Sequence, residues 1–132
     1  MTGPSKRLHA RYPCEISAHV RAPAMKNKLF DAWILDVGMG GALLSVKGNA
    51  TGPILHLVVA IDGKTADIKT RIARIVGMDR KRPKHYLYGV SFESDLSNSH
   101  HLKTIIDQAR TGRWAAKTGT SDGEIRRNYW KL

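Results

Sequence analysis

Two short motifs hold the residue types best suited to chemistry in this chain. The first is an arginine pair, Arg7 and Arg11, separated by three residues near the N-terminus. In the second, Asp36 opens a glycine-rich turn that contains Gly38 and Gly41. Guanidinium groups bind phosphates through paired hydrogen bonds and stack on flat bases. Glycines allow tight turns or the close approach of a ligand to the backbone.

The spacing of the two motifs predicts that they meet. Arg11 and Asp36 are 36 − 11 = 25 residues apart, which suits one strand, a loop and a returning strand. The ends of such a hairpin lie side by side, so we expect Arg7, Arg11 and Asp36 at one end of a β-structure. A carboxylate accepts hydrogen bonds from the N–H edge of a guanine and repels a plain polyanion. Together the motifs suit a guanine nucleotide; the alternative is a basic terminal segment beside an ordinary turn.

The elements that position these motifs follow from the alternation of apolar and polar residues, which predicts six strands. The predicted strands are Cys14–Arg21, Phe30–Leu35, Ala42–Val46, Ile54–Ile61, a strand from about Ala66 onwards, and Tyr86–Phe92.

Details within the strands give further expectations. The alternation puts Glu15 on the solvent side of the first strand. It slips near Ala73, which predicts a β-bulge in the fifth strand. The pair Asp62 and Gly63 predicts a hairpin turn, and the loop Asp79–Lys84 is strongly basic.

One amphipathic helix follows the strands. Its apolar residues recur at helical spacing, at Leu102, Ile105, Ile106 and Ala109. Ser97 or Asn98 is the expected N-cap, and Gly112 the expected terminator. Six short strands and one helix predict a mainly β fold, a small six-stranded antiparallel barrel closed by a C-terminal amphipathic helix.

The chain accordingly divides into three parts. We expect an N-terminal arginine-bearing arm over residues 1–13, the barrel with its helix over residues 14–112, and a flexible basic tail over residues 113–132.

Composition is consistent with one small, charged domain. The chain has 132 residues, of which 42% are hydrophobic, so it can bury a core. Lysine and arginine number 22 against 11 acidic residues, a formal net charge of +11. Such a surface attracts phosphates in nucleotides, nucleic acids or anionic membranes without selecting among them. We see no membrane-spanning run or secretory signal, and we expect a cytoplasmic protein.

Signatures of catalysis are missing from the sequence. There is no P-loop and no paired-histidine helix, and a single cysteine excludes a cysteine-based zinc cluster. His100 and His101 are adjacent on the helix, so their rings diverge by about 100° and do not face one ion. Cys14 is in phase with the inward residues of its strand, which predicts a buried structural thiol. We expect neither an enzyme nor a bound metal or cofactor.

In this order of features the chain resembles the PilZ domain family, which binds the bacterial second messenger cyclic di-GMP. That family carries R-x-x-x-R before the first strand and [D/N]-x-S-x-x-G between the second and third strands. The first motif is intact as Arg7 and Arg11. The second is present as Asp36, Gly38 and Gly41, with glycine where serine is usual.

The resemblance covers roughly residues 6–110 and includes the late strand Tyr88–Phe92. It implies that the two arginines clamp the phosphates and contact the guanine, that Asp36 binds a guanine edge, and that Gly41 permits the turn. It also implies a bacterial cytoplasmic receptor whose N-terminal arm orders around cyclic di-GMP and so alters a surface read by a partner protein.

Two other functions remain open from the sequence. Gly38 lacks the serine hydroxyl, so the chain is alternatively a PilZ-like adaptor that binds a protein and no nucleotide. A basic barrel also binds nucleic acid when aromatic residues are exposed for base stacking. The candidates for stacking are Trp33, Trp114, Tyr129 and Trp130.

The C-terminal residues pose a separate question. Arg126, Arg127 and Lys131 surround Tyr129 and Trp130, a mixture that suits an anchor on a partner or on an anionic membrane surface. The alternative is a solvated tail.

Overall fold

The protein is a closed antiparallel β-barrel with one helix. The computed structural model describes residues 11–61, 63–92 and 96–112. The elements are β1 (Tyr12–Ala22), β2 (Lys28–Val37), β3 (Gly41–Lys47), β4 (Ile54–Ile61), β5 (Lys64–Met78), β6 (His85–Phe92) and α1 (Leu96–Thr111). The strand order around the barrel is β1-β2-β3-β6-β5-β4. The predicted six-stranded barrel with a C-terminal helix is confirmed.

The core forms because the inward face of each strand is apolar. In β1, for example, Ala18 and Val20 are buried while Ser17 and His19 are exposed. Tyr88 of β6 is fully buried. From α1, Leu102 and Ile105 join the same hydrophobic cluster, which makes the helix part of the core.

The helix begins earlier than its predicted cap. It starts at Leu96, so Ser97 and Asn98 lie inside it, and the predicted N-cap is wrong. Cap preferences amount to about 1 kcal/mol, and most helical stability in proteins comes from packing of the apolar face. Gly112 follows the helix with a φ of +75°, as expected of a terminating glycine. No helix in the described part of the chain is long and apolar enough to cross a membrane.

Irregularities in the strands redirect several side chains. The pairing of β5 with β6 shifts between Ile72 and Arg74, which confirms the bulge predicted near Ala73. A second shift, between Pro13 and Ile16 in β1, has no signal in the alternation pattern. Glu15 lies in this stretch and is only 3% exposed, because Arg82 of the β5–β6 loop binds and covers it, so its predicted place on the solvent side is wrong.

Glu15 belongs to a buried polar network that ties the β5–β6 loop to the barrel wall. Arg82 donates to Oε2 of Glu15 through Nη2, and to Oδ2 of Asp79 through Nη1 at 2.9 Å. Oγ of Ser45 donates to the same Asp79 oxygen at 2.6 Å. The amide of Lys81 donates to Oδ1 of Asp79 at 2.9 Å. The strongly basic loop is therefore anchored by a buried arginine.

The network affects ionisation and covers a candidate stacking residue. Burial alone would raise the pKa of Asp79, but hydrogen bonds from Ser45, the Lys81 amide and Arg82 outweigh it and lower that pKa. The guanidinium of Arg82 lies 5.5 Å from the ring centroid of Trp33, within the range of a cation–π contact. One face of the Trp33 ring is thus occupied.

We expect Arg82→Ala to lower the free energy of unfolding by about 3–5 kcal/mol, because it removes the cation shared by two buried carboxylates. Urea denaturation followed by circular dichroism measures the loss. Arg80→Ala is the matched control in the same loop; Arg80 is exposed, so its substitution should change stability by no more than about 0.5 kcal/mol. Equal losses in both variants would contradict the anchoring role of Arg82.

Candidate ligand-binding site

The β1–β2 hairpin brings Arg11 to Asp36. Tyr12 pairs with Val37 and Pro13 pairs with Asp36 across the two strands. Nη1 of Arg11 donates to Oδ1 of Asp36 at 2.9 Å, and the two side chains are 25% and 27% exposed. The juxtaposition inferred from their spacing is therefore confirmed for this pair. Arg7 lies outside the described residues.

The carboxylate of Asp36 is held from two sides, by Arg11 and by an amide of β3. The Leu43 amide in β3 donates to Oδ1 of Asp36 at 3.2 Å. The register between β2 and β3 shifts between Ile34 and Asp36, which places Asp36 opposite Leu43. Within the described part of the chain, the hydrogen bonds to this carboxylate all go to Oδ1. The second oxygen can accept a donor from a ligand.

The glycine turn is fixed by backbone hydrogen bonds. The Gly38 amide donates to the Gly41 carbonyl at 2.9 Å, and the Phe92 amide donates to the Gly40 carbonyl at 3.2 Å. Gly38, Gly40 and Gly41 do not have the positive φ seen at other glycines of the chain. The turn therefore requires no unusual backbone angle at these residues.

Gly41 is required for space. A Cβ at this position would lie 2.2 Å from the Val90 carbonyl oxygen, a backbone atom of β6, and 3.1 Å from Nη2 of Arg11. No side chain fits at the first distance. The sequence offered a tight turn or the approach of a ligand as reasons for glycine, whereas the structure shows the close approach of the β6 backbone. The same bare backbone gives the Arg11 guanidinium a surface to lie on.

A third charged residue, Arg74, also lines the site, although it belongs to neither of the two sequence motifs. Its Cγ and Nε would each lie 3.1 Å from a Cβ at Gly89, so this side chain runs along the bare backbone of β6. Arg74, Arg11, Asp36 and Gly89 share a cavity of about 130 Å³. The only sequence signal for Arg74 is the alternation slip at the neighbouring Ala73, because the bulge there changes the side to which the next residues point.

Cys14 lies close to the site but is chemically quiet. Burial raises the pKa of its thiol to about 12, and the charge of Asp36 contributes to the rise. The Sγ donates to the Ile34 carbonyl at 3.4 Å. The thiol therefore stays protonated at neutral pH. This agrees with the buried position predicted from the alternation.

The site consists of an arginine–carboxylate pair, a crowded glycine and a second arginine at one end of a six-stranded barrel. A family model for the PilZ domain matches residues 5–108. The chain belongs to the PilZ domain family. No curated protein sequence matches the chain.

Solved PilZ structures share this fold. The PilZ domain of YcgR from Escherichia coli, solved with c-di-GMP, matches with a TM-score of 0.61 and 12% identity, over 86% of this chain and 99% of that one. The PilZ domain of CeSA from a cellulose-synthesizing bacterium matches with a TM-score of 0.53 and 20% identity, over 74% and 94% of the two chains. At these identities the likeness establishes the PilZ fold.

Two glycines at the site of this PilZ domain, Gly41 and Gly89, should respond differently to a methyl group. We expect Gly41→Ala to lower the free energy of unfolding by about 1–3 kcal/mol or more, because the β6 backbone must move. Gly89→Ala is the matched control, since its Cβ meets only the flexible Arg74 side chain; it should cost less than about 1 kcal/mol. Thermal and urea unfolding compare the two. A loss at Gly89 as large as that at Gly41 would contradict this reading of the packing.

Proposed function

We propose that this PilZ domain is a cyclic di-GMP receptor that binds its ligand where Arg11 meets Asp36, and that it signals through binding rather than catalysis. The observation that carries the proposal is the 2.9 Å contact between these two side chains, beside the bare backbone at Gly41. This contact places a cation that can bind a phosphate next to a carboxylate that can accept hydrogen bonds from a base.

The chemistry of the site suits both halves of a guanine nucleotide. Arg11 uses Nη1 to hold Asp36, and the rest of its fork suits a phosphate or the face of a base. The second oxygen of Asp36 suits the N–H edge of a guanine. Arg74 adds a cation across the cavity. The formal net charge of +11 favours the approach of an anionic ligand.

The small size of the cavity supports a role for the N-terminal arm. The space of about 130 Å³ beside Arg11 and Asp36 is well below the roughly 300–1,000 Å³ of pockets that enclose a small molecule. A cyclic dinucleotide bound here needs a further wall. In the proposal Arg7 and its neighbours form that wall by ordering over the ligand, and the altered surface is read by a partner protein in the bacterial cytoplasm.

We expect isothermal titration with cyclic di-GMP to give saturable binding to the full chain. Arg11→Ala should weaken it by about 10-fold or more, because a charge-assisted contact is worth about 1.5–3 kcal/mol. Arg21→Ala is the matched control: Arg21 lies in β1, ten residues further along the chain, and pairs with Asp67. Its loss should leave affinity unchanged. Equal weakening by both substitutions would mean that net charge, and not the site, governs binding.

We expect Gly38→Ser to tighten cyclic di-GMP binding by roughly 2- to 12-fold, because it restores the hydroxyl at the serine position of the motif, and one hydrogen bond is worth about 0.5–1.5 kcal/mol. The same titration measures the gain, with Gly38→Ala as the control for the added carbon. A serine variant that binds no better than the alanine variant would show that the hydroxyl has no part in recognition here.

The glycine at position 38 also favours a second candidate, a protein-binding adaptor that does not bind the nucleotide. Absence of heat with the wild-type chain at high micromolar cyclic di-GMP would favour this alternative, and capture of a protein partner would then test it. The nucleic-acid hypothesis has less support, because the Trp33 ring lies beside Arg82 and is only partly exposed.

The proposed tail contacts with a partner or membrane involve residues 113–132, which lie outside the described residues.

A further inference from the structure

The second half of β5 extends beyond its partner β4. The β4–β5 ladder ends with the pair Ile54 and Arg71, and the Ile72 amide then donates to the Pro53 carbonyl at 2.9 Å. From Ala73 to Met78, β5 pairs with β6 on one side. No described residue pairs with its other edge over this stretch. We call Ala73–Met78 the β5 edge.

This edge is apolar and exposed. Ile75 is 64% exposed, Val76 49% and Met78 63%. The only other large hydrophobic residue exposed to this degree in the described part of the chain is Leu29, at 59%. A register shift between Ile75 and Gly77 allows consecutive apolar side chains to face solvent. Exposed apolar edges are rare in monomers and mark places where another chain binds.

A groove beside the β5 edge offers room for further apolar side chains. It has a volume of about 500 Å³, and its lining includes Met78, Leu87, Leu35 and Pro13. The anchored β5–β6 loop forms its far side through Asp79 and Arg82. Met78 belongs both to the β5 edge and to the lining of the groove, so the two surfaces adjoin.

The exposed charges next to the β5 edge are basic, and the acidic residues that line the groove, Glu15 and Asp79, are buried. Arg71 precedes the edge, Arg74 lies within it, and Arg80 and Lys84 follow it, each with an exposed side chain. Within residues 71–84 the one acidic residue is Asp79, which is 8% exposed and faces Ser45 and Arg82. The electrostatic complement of this surface is an acidic segment.

We propose that the β5 edge binds an extended segment of a partner protein in which apolar residues alternate with acidic ones. The segment adds a strand to β5. Its apolar side chains cover Ile75, Val76 and Met78 and enter the groove, while its carboxylates face the flanking arginines. Binding of the segment does not require a bound nucleotide.

The observations disfavour two other occupants. A second copy paired edge to edge would bring the Arg71 and Arg74 side chains of both copies into one small interface, and like charges across a strand pair destabilise it. An anionic membrane would suit the charge, but lipid offers no ordered ladder of donors and acceptors for the open backbone edge. A strand supplies that ladder.

The test begins with a phage-displayed library of random peptides of about twelve residues, longer than a typical strand, selected on the wild-type chain without nucleotide. Enriched peptides are then synthesised and their affinities measured by fluorescence anisotropy. Ile75→Glu is the test variant, and Leu29→Glu is the matched control at a similarly exposed residue. Amide hydrogen exchange locates the bound peptide on the chain.

We expect the enriched peptides to alternate apolar residues with Asp or Glu. Their affinity should fall by about tenfold or more, which corresponds to about 1.4 kcal/mol, in Ile75→Glu and stay unchanged in Leu29→Glu. Exchange should slow at residues 73–78. The proposal is overturned if no peptide is enriched, if enriched peptides lack acidic residues, or if they bind Ile75→Glu as well as wild type. Self-association, or binding to phosphatidylserine vesicles, that depends on Ile75 would instead assign the edge to a second copy or a membrane.

Discussion

The backbone of β3 approaches β6 so closely at Gly41 that a single added carbon would lie 2.2 Å from the Val90 carbonyl oxygen. Much of the site depends on this approach. It holds the glycine turn next to β6, where the Phe92 amide binds the Gly40 carbonyl. It also leaves the bare surface on which the Arg11 guanidinium lies while its Nη1 binds Asp36. A packing constraint therefore sets the position of the groups that carry the charge.

The same sheet links the proposed nucleotide site to the proposed docking surface. Arg74 lies against Gly89 and lines the nucleotide cavity, and the next residue along β5, Ile75, is part of the exposed apolar edge. A ligand that draws the Arg74 side chain towards its phosphates would change the charge next to the partner surface. Local electrostatic changes of this kind are a common basis of ligand switches.

The sequence predicted those features of the fold and site that depend on local patterning or on a single hairpin. Alternating polarity predicted the six strands, because one face of each strand packs against the core. Chain spacing predicted the contact between Arg11 and Asp36, because the two ends of a hairpin lie side by side. The buried place of Glu15 could not be predicted, since it depends on Arg82, which is 67 residues away in the chain. Arg74 was missed for a similar reason. Its position requires the bulge at Ala73 and Gly89 of the neighbouring strand. A local sequence pattern does not show which residues of two strands will face each other.

The measurement that tests the central claim most directly is a titration of the isotope-labelled chain with cyclic di-GMP, followed by nitrogen–proton correlation spectra. The account predicts saturable shifts at Arg11, Asp36, Gly38 and Gly41, and in the side chain of Arg74. Amides of the distant β1–β2 turn, such as Asn27, should not move. Spectra that stay unchanged at high ligand concentration, or shifts concentrated away from the Arg11–Asp36 contact, would contradict it.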